Sequence, residues 1–316
     1  VGETATVTLV FSEVVSGFSS SDDITVVNGS LTTMTSSDNI TWTGTYTPST
    51  DVEDTSNILT LATTYTDSAG NTGPSATTSN FEIDTKYPTV SSFTLSDSAL
   101  KVGETATVTL VFSEAVSGFS SSDDITVVNG SLSTMTSSDN ITWTGTYTPS
   151  TDVEDTSNVL TLATTYTDSA GNAGPSATTS NFEIDTKYPT VSSFTLSDSA
   201  LKVGETATVT LVFSEEVIGF SSSDDITVVN GSLSTMTSSD NITWTGTYTP
   251  STDVQDTSNV LTLATTYTDN NGNAGPSATT SNFEIDTKYP IVSSFTLSDN
   301  ALKAGETATV TLVFSE

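Results

Sequence analysis

Hydrophobic and polar residues alternate along most of the chain with the period of two that a half-buried β-strand requires. In residues 104–112 every second residue is apolar and most of the residues between are threonines, which suit the wet face of a sheet. The side chains predicted to point inward in this stretch are Ala106, Val108, Leu110 and Phe112. Residues 141–147 alternate in the same way, which predicts that Trp143 is a core residue. The helical period of 3.6 is not seen, so no helices are expected.

The chain consists of near-identical copies of one unit. The sequence VGETATVTLVFSE begins at Val1, Val102 and Val203, and it begins again at Ala304 with one Val-to-Ala change, so the period is 101 residues. The predicted domains are a repeat without its first strand at 1–84, complete repeats at 85–185 and 186–286, and the start of a fourth at 287–316. Because repetition multiplies what one unit does, function is sought in the unit and its junctions.

Each complete copy contains seven candidate strands separated by clusters of Gly, Pro, Asn and Asp. In the copy 85–185 the predicted strands, labelled A to G, lie near 90–96, 104–113, 124–129, 131–136, 140–148, 158–167 and 177–184. This pattern predicts an all-β protein of tandem immunoglobulin-like antiparallel β-sandwiches of seven strands. The connector DTKYP is short and contains a proline, so adjacent copies should nearly touch.

Charge narrows the possible partners. The chain has 38 acidic and 6 basic residues and a net charge of −32, which repels nucleic acid and anionic membranes and attracts cations. No apolar run approaches the roughly 20 residues of a membrane span, so no direct membrane insertion is expected. No export signal heads the chain and its first residues already read as a strand, so we expect a longer parent protein that carries the signal and any anchor.

Several motifs carry a family resemblance: FSEAVSGF followed by SSDDITVVNG, the loop TDSAGN, and the closing FEIDTKYP. They resemble bacterial Ig-like repeats of giant secreted adhesins, in particular the extender region of RTX-type adhesins, and the resemblance covers the whole chain. It implies a structural extender, or stalk, on the bacterial cell surface, stiffened by Ca2+. The partners would be neighbouring repeats of the same chain, and a distal ligand would be bound by domains outside it.

Acidic residues concentrate in the loops after strands B, D and F, which share the N-terminal pole of a sandwich. In the copy 85–185 this predicts a metal site formed by Glu114, Asp123, Asp124, Asp168 and Asn172, with Asp139 nearby and Asp84 arriving from the preceding copy. The equivalent residues in the next copy are Asp185, Glu215, Asp224, Asp225, Asp269 and Asn273. In the first copy they are Glu13, Asp22 and Asp67.

Converging carboxylates repel one another unless a cation lies among them. Oxygen ligands from separate loops, about six to eight in number, are what Ca2+ takes, whereas Zn2+ is disfavoured because the chain has no Cys or His. At the opposite pole Asp152 and Asp155 are further candidates. Glu154 between them is replaced by Gln255 in the third copy, so that side chain is not an indispensable charged ligand.

Two other interpretations remain open. The acidic loops can simply form turns and keep a Thr-rich β-protein soluble. Alternatively, each copy is a glycan- or protein-binding module whose tandem display provides avidity. An enzyme is not expected, because the chain has no His, no Cys, no Gly-rich phosphate loop and no Ser paired with a base.

Overall fold

A computed structural model describes residues 2–316 of the chain. The chain divides into two compact units. The first comprises Val1–Leu100, Glu104–Ser150 and Asp155–Glu183, and the second comprises Lys101–Gly103, Thr151–Glu154 and Ile184–Glu316.

The elements recur from copy to copy. Up to residue 84 they are β1 (Ala5–Val10), β2 (Val15–Ser16), α1 (Ser20–Asp23), β3 (Ile24–Thr25), β4 (Gly29–Leu31), β5 (Thr41–Pro48), β6 (Glu53–Asn57), β7 (Thr60–Leu61), β8 (Thr66–Asp67), β9 (Ala76–Thr77) and β10 (Phe81–Asp84). The second copy has β11 (Val90–Leu95), β12 (Ala99–Lys101), β13 (Ala106–Phe112), β14 (Val116–Ser117), α2 (Ser121–Asp124), β15 (Ile125–Thr126), β16 (Gly130–Leu132), β17 (Thr142–Pro149), β18 (Glu154–Asn158), β19 (Thr161–Leu162), β20 (Thr167–Asp168), β21 (Ala177–Thr178) and β22 (Phe182–Asp185). The third has β23 (Val191–Leu196), β24 (Ala200–Lys202), β25 (Ala207–Phe213), β26 (Val217–Ile218), α3 (Ser222–Asp225), β27 (Ile226–Thr227), β28 (Gly231–Leu233), β29 (Thr243–Pro250), β30 (Gln255–Asn259), β31 (Thr262–Leu263), β32 (Thr268–Asp269), β33 (Ala278–Thr279) and β34 (Phe283–Asp286). The hairpin β35 (Val292–Leu297) and β36 (Val310–Phe314) follows.

The third copy lies wholly within the second unit and illustrates the architecture. One sheet has the order β23-β25-β29-β28, which is the order A-B-E-D of the predicted strands. Opposite it, β27-β31-β33 corresponds to C-F-G. The predicted Ig-like sandwich is thereby confirmed as a fold class.

The core follows the predicted alternation. Ala106, Val108, Leu110 and Phe112 are all almost completely buried. In the third copy one continuous cluster joins the inward residues of both sheets, including Val209, Leu211 and Tyr267. Trp143 lies at the border of the core rather than inside it, since it is half-buried and packs edge-to-face on Phe119 with 4.8 Å between ring centroids.

Two details differ from the expectation of purely antiparallel strands without helices. Each copy contains a four-residue helix before strand C, such as Ser121–Asp124. This turn exists because the Asp124 carboxylate accepts hydrogen bonds from the Ser120 backbone nitrogen at its start and from the Thr165 hydroxyl. In addition, β24 runs parallel to β34, with Leu201 opposite Ile285, because the chain crosses from one sheet to the other after strand A.

Candidate functional site

Two groups of three carboxylates converge in the described residues. The first contains Asp84 at the end of β10, Glu114 in the loop after β13, and Asp168 at the end of β20. One oxygen from each carboxylate lies within 4.8 Å of the others. Asp168 is fully buried and the other two are half-buried. The group therefore joins Asp84 of one copy to two acids of the next, and it can hold a metal ion.

Asp168 is fixed by its own loop. Its Oδ1 accepts hydrogen bonds from the backbone nitrogens of Ala170 at 2.9 Å and Asn172 at 2.8 Å. Its Oδ2 accepts one from Asn172 Nδ2 at 2.8 Å. The short TDSAGN loop thus aims one carboxylate at the pole, because aspartate side chains readily bond backbone groups two to four residues ahead.

Asn172 also ties the two copies together. Its Nδ2 is 3.2 Å from the Asp84 carbonyl oxygen and 3.1 Å from that of Lys86. In the second unit the equivalent Asn273 donates to the Asp185 carbonyl oxygen at 3.0 Å, and its Oδ1 accepts from the Val102 backbone nitrogen at 2.9 Å. This last bond explains the amide orientation, which turns the nitrogen and not the oxygen toward the acids.

Glu114 is the member of the first group whose carboxylate is not fully hydrogen-bonded. Its Oε1 is buried and has no hydrogen-bond partner in the part of the chain that the structure describes. Burial raises the pKa of Glu114 above its usual value, and the negative charges of Asp168 and Asp84 raise it further. A buried carboxylate oxygen without a donor is costly, so the position favours a positive counter-charge.

The second group repeats the first at the same spacing: Asp185, Glu215 and Asp269. Asp185 and Asp269 are buried, at 6% and 1% exposure. Burial raises the pKa of Glu215, followed by the charges of Asp269 and Asp185. The arrangement is thus a property of the repeat and not of one junction.

A lysine lies near each group. Lys86 forms an ion pair with Glu53 at 3.0 Å, and Lys187 pairs with Glu154 at 3.2 Å. Both pairs are about half exposed, so each contributes little to stability. Lys86 lowers the pKa of Glu114, and Lys187 lowers that of Glu215, but in each case the effect is smaller than those of burial and of the neighbouring acids. The lysines therefore do not neutralise the three acids.

The paired aspartates of the B-C loop lie outside both groups. Asp124 and Asp225 are buried and accept hydrogen bonds from Thr165 and Thr266, so their oxygens serve the local fold. Their neighbours Asp123 and Asp224 are exposed, as is Asp22 in the first copy.

The remaining predicted residues either accept hydrogen bonds within turns or lie outside the two carboxylate groups. Asp139 accepts backbone hydrogen bonds from Ile141 and Thr142. Asp155 accepts from Asn129 Nδ2 at 2.8 Å, and Asp152 is exposed. In the first copy, Glu13 is exposed and Asp67 is half-buried, with Asp67 holding Asn71 as Asp168 holds Asn172.

The sequence prediction did not include the carbonyl oxygens of Asp84, Lys86 and Asp185, which the asparagine amides bind. The available signal was the asparagine that recurs four residues after the loop aspartate, in TDSAGN and in TDNNGN, because Asn is both a donor and an acceptor. Which carbonyl oxygens the asparagine amide reaches depends on the path of the connector DTKYP, and the sequence does not specify that path.

The sequence profile of the bacterial Ig-like domain family matches residues 1–83, 84–184 and 185–285. The chain belongs to this family. The matched segments are three tandem repeats and cover most of the chain. A search of curated proteins gave no significant match.

Solved structures with a similar fold include bacterial adhesins and Ig tandems of titin. FdeC, an Escherichia coli adhesin, is 16% identical over 90% of this chain and 93% of its own, with a TM-score of 0.32. Invasin, a bacterial integrin-binding protein, is 14% identical over 99% and 67%, with a TM-score of 0.32. The I67–I69 fragment of titin is 10% identical over 90% and 94%, with a TM-score of 0.47. None of the helices within residues 2–316 has the length and hydrophobicity of a membrane-spanning segment.

Proposed function

We propose that this chain is a segment of the stalk of a large secreted bacterial surface adhesin of the RTX type, and that Ca2+ at its junctions stiffens it. The observation that carries the proposal is a carboxylate group built from two consecutive copies, with a buried Glu114 oxygen that lacks a donor within the described residues. Membership of the bacterial Ig-like family supports the structural role.

The donor set fits Ca2+. Asp84, Glu114 and Asp168 would hold one ion, and Asp185, Glu215 and Asp269 a second. All six side chains offer hard oxygen ligands, which Ca2+ prefers, and Ca2+ accepts a variable number of them. When bound, Ca2+ supplies the positive charge that cancels the repulsion among three acids. Asp123, Asp224 and Asp22 are available only as exposed carboxylates, and Asp124 and Asp225 are already engaged.

A bound ion would connect two consecutive copies, because the three acids come from both of them. Asp84 precedes the connector DTKYP, whereas Glu114 and Asp168 belong to the copy after it. Small interfaces between domains normally permit relative motion. A shared ion restricts it, because any hinge movement separates Asp84 from the other two acids. The Asn172 amide supplies a weaker clamp that needs no metal.

The proposal predicts opposite effects of one substitution with and without Ca2+. The double variant Glu114→Gln with Glu215→Gln removes two charges. At Glu114 Oε1 it breaks no hydrogen bond, because that oxygen has no partner within the described residues. In chelator we expect an equal or higher melting midpoint, because repulsion is relieved. In millimolar Ca2+ we expect the stabilisation, which follows RT ln(1 + [L]/Kd), to fall to a small fraction of the wild-type value.

Glu183→Gln with Glu284→Gln is the matched control, because it also removes two charges and both acids lie outside the two groups. The control should retain the full Ca2+ gain. Coincident wild-type melting midpoints in Ca2+ and in chelator would contradict the proposal, and the acids would then be turn-forming and solubilising groups only. Equal loss in the control would mean that Ca2+ acts through general charge screening.

Stiffening is tested separately by small-angle scattering. The maximum particle dimension of the wild type should increase and its flexibility decrease on addition of Ca2+, whereas Asp185→Ala should leave the copies folded and reduce the change. Identical profiles for the two proteins in saturating Ca2+ would mean that packing or the proline-containing connector fixes the junction.

The same proposal assigns the chain a non-catalytic role outside the cell, with the distal ligand bound by other domains of the parent protein. A binding role for individual copies receives little support from their differences. Asn270 and Glu216, which distinguish the third copy, bond to each other at 3.2 Å and so compensate one another locally.

A further inference from the structure

The chain contains six Asn-x-Ser/Thr sequons, two in each copy. One has the sequence NGS and begins at Asn28, Asn129 and Asn230, whereas the other has the sequence NIT and begins at Asn39, Asn140 and Asn241. This tripeptide is the acceptor sequence for N-linked glycosylation, but it also arises by chance in a chain rich in Ser and Thr. The surroundings of each asparagine amide therefore distinguish an acceptor site from a coincidence.

In the NGS sequons the asparagine amide is already used by the fold. Asn129 Nδ2 donates hydrogen bonds to Asp155 Oδ2 and to Asn158 Oδ1, both at 2.8 Å. A side-chain amide nitrogen carries two hydrogens, so both are engaged. Because Asn158 is only 1% exposed, water cannot replace its donor if a sugar takes the place of one of these hydrogens. The same two bonds recur at Asn28 and Asn230.

In the NIT sequons the backbone is held but the amide is not. Asn140 lies in the turn between strands D and E with a φ of 57°, and its carbonyl oxygen accepts a hydrogen bond from the Val116 backbone nitrogen at 3.0 Å. Its side chain is exposed, and within the described residues it takes part in no hydrogen bond. Asn39 and Asn241 also have positive φ and exposed side chains. Each of these amides is therefore presented to solvent on a fixed turn.

The other two positions of the NIT sequon also suit an acceptor site. The middle residue is isoleucine and not proline, which the sequon excludes. Thr142, which supplies the hydroxyl, is the first residue of β17 and is exposed, as is Thr41, whereas Thr243 is half-buried. The Asp139 carboxylate holds the backbone nitrogens of Ile141 and Thr142, so the turn has a defined conformation.

A neutral, hydroxyl-rich surface adjoins this turn. The sheet formed by β11, β13, β17 and β16 contains no charged residue in any of its strands, although the chain has 38 acidic residues. Four threonines lie in one row across it: Thr94, Thr109, Thr144 and Thr136. Such a face offers hydrogen bonds to a neutral sugar and no counter-charge to an ion.

We propose that Asn39, Asn140 and Asn241 are N-glycosylation sites that receive a neutral hexose from a glycosyl diphosphate, which is either a nucleotide-sugar or a lipid-linked sugar. The amide Nδ2 forms a bond to the anomeric carbon as the bond from that carbon to the diphosphate oxygen breaks. The diphosphate leaves with the bonding electron pair, and the amide gives up one proton to a base of the transferase. The NGS asparagines stay unmodified in the folded protein. The proposal does not rest on a metal at the junctions.

Enzymatic transfer to the folded chain tests the proposal. The probe is UDP-glucose with a soluble N-glycosyltransferase that glycosylates two synthetic peptides, residues 126–133 with NGS and residues 137–144 with NIT. Site occupancy in the folded protein is measured by peptide mass spectrometry. Relative to the peptides, the NIT asparagines should be favoured over the NGS asparagines by at least about tenfold, because modification of the latter breaks a hydrogen bond to a buried oxygen. Equal occupancy, or no hexose on the NIT asparagines, would overturn the proposal.

Two variants separate the effect of the fold from the preference of the enzyme. Ser131→Thr gives the NGS sequon the same hydroxyl residue as NIT, and Asn129 should still remain unmodified in the folded protein. Thr142→Val removes the hydroxyl and keeps a β-branched strand residue, so Asn140 should lose its hexose while the other two NIT asparagines keep theirs. Asn140 itself is left in place, because most residues other than Gly, Asn and Asp are strained at positive φ. Modification of Asn129 in the first variant, or of Asn140 in the second, contradicts the proposal.

Mass spectrometry of the protein purified from the cells that produce it gives a second measure. Peptides with the NIT sequon should carry sugar, and peptides with the NGS sequon should not. A single hexose indicates a nucleotide-sugar donor, and a preassembled oligosaccharide indicates a lipid-linked donor. NIT peptides without any sugar would overturn the proposal.

Discussion

At the scale of the residue, identical side chains next to each other have different tasks. Asp124 is buried and bonds the Ser120 nitrogen and the Thr165 hydroxyl, while Asp123 is exposed. The physical difference is solvation: a buried carboxylate must be satisfied by donors within the protein, and an exposed one is satisfied by water. The buried aspartate is therefore a structural residue whatever its neighbour does.

This difference predicts unequal effects of alanine. Alanine at the buried member of each pair, Asp23, Asp124 and Asp225, should lower the free energy of unfolding of each copy by about 1–3 kcal/mol, because donors lose their acceptor. Urea denaturation followed by tryptophan fluorescence measures it.

Alanine at the exposed members, Asp22, Asp123 and Asp224, is the control and should change the urea midpoint little. Equal destabilisation by both sets would contradict the structural assignment of the buried aspartates.

Packing at a glycine gives a second test at this scale. A Cβ on Gly174 would lie 2.0 Å from Cε2 of the fully buried Tyr166, whose hydroxyl is bonded to the Pro175 carbonyl. Gly174→Ala, made also at Gly73 and Gly275, should cost about 1–3 kcal/mol per copy, because the ring cannot move aside. Thermal unfolding measures the loss.

Alanine at Gly145 is the comparison. Its Cβ would meet Met135 Cγ at 2.8 Å and the Ser133 carbonyl oxygen at 3.1 Å, and of these the closer contact is with a methionine side chain that can adjust. A larger loss at Gly145 than at Gly174 would contradict the ring-clash explanation.

At the scale of the element, the turn before strand E is built on a carboxylate. Backbone hydrogen bonds from Thr142 and then Ile141 hold the pKa of Asp139 below its ordinary 3.8, and Asp38 and Asp240 are lowered in the same way. Since the folded pKa is the lower one, the stabilisation is complete above 3.8 and is lost as pH falls through the folded value.

Asn at these three positions keeps an acceptor and removes the titration. The wild type should therefore melt higher than the variant at neutral pH, and the difference should shrink as pH falls below 3.8. Melting midpoints measured against pH in chelator test it. A difference that grows on acidification would contradict the assignment.

At the scale of the whole molecule, a net charge of −32 opposes compaction. Raising NaCl from about 0.01 M to about 1 M shortens the screening length from about 30 Å to about 3 Å. In chelator we expect the melting midpoint to rise with salt, because repulsion among the acids is screened.

The variant with Gln at Glu114 and Glu215 should gain less from salt than the wild type. Equal wild-type melting midpoints at both salt concentrations would mean that repulsion among the acids does not destabilise the fold.

The sequence alone determined the repeat, the sandwich and its inner faces. Strand periodicity is local, so the alternation of residues is enough to assign Ala106, Val108, Leu110 and Phe112 to the core, where all four are buried. The sequence also indicated the acidic pole, because loop order follows from strand order. Family membership agrees with this fold.

Only the tertiary structure decided which acids meet. Asp123 and Asp124 differ by one position, yet one faces water and the other the protein, and the four-residue helix that contains both was not expected. Asp84, Glu114 and Asp168 lie far apart in sequence and converge because three loop paths end at one place. Periodicity carries no information about such paths, since they depend on hydrogen bonds like that from Asn172 to the Asp84 carbonyl, which form only once the copies have folded against each other.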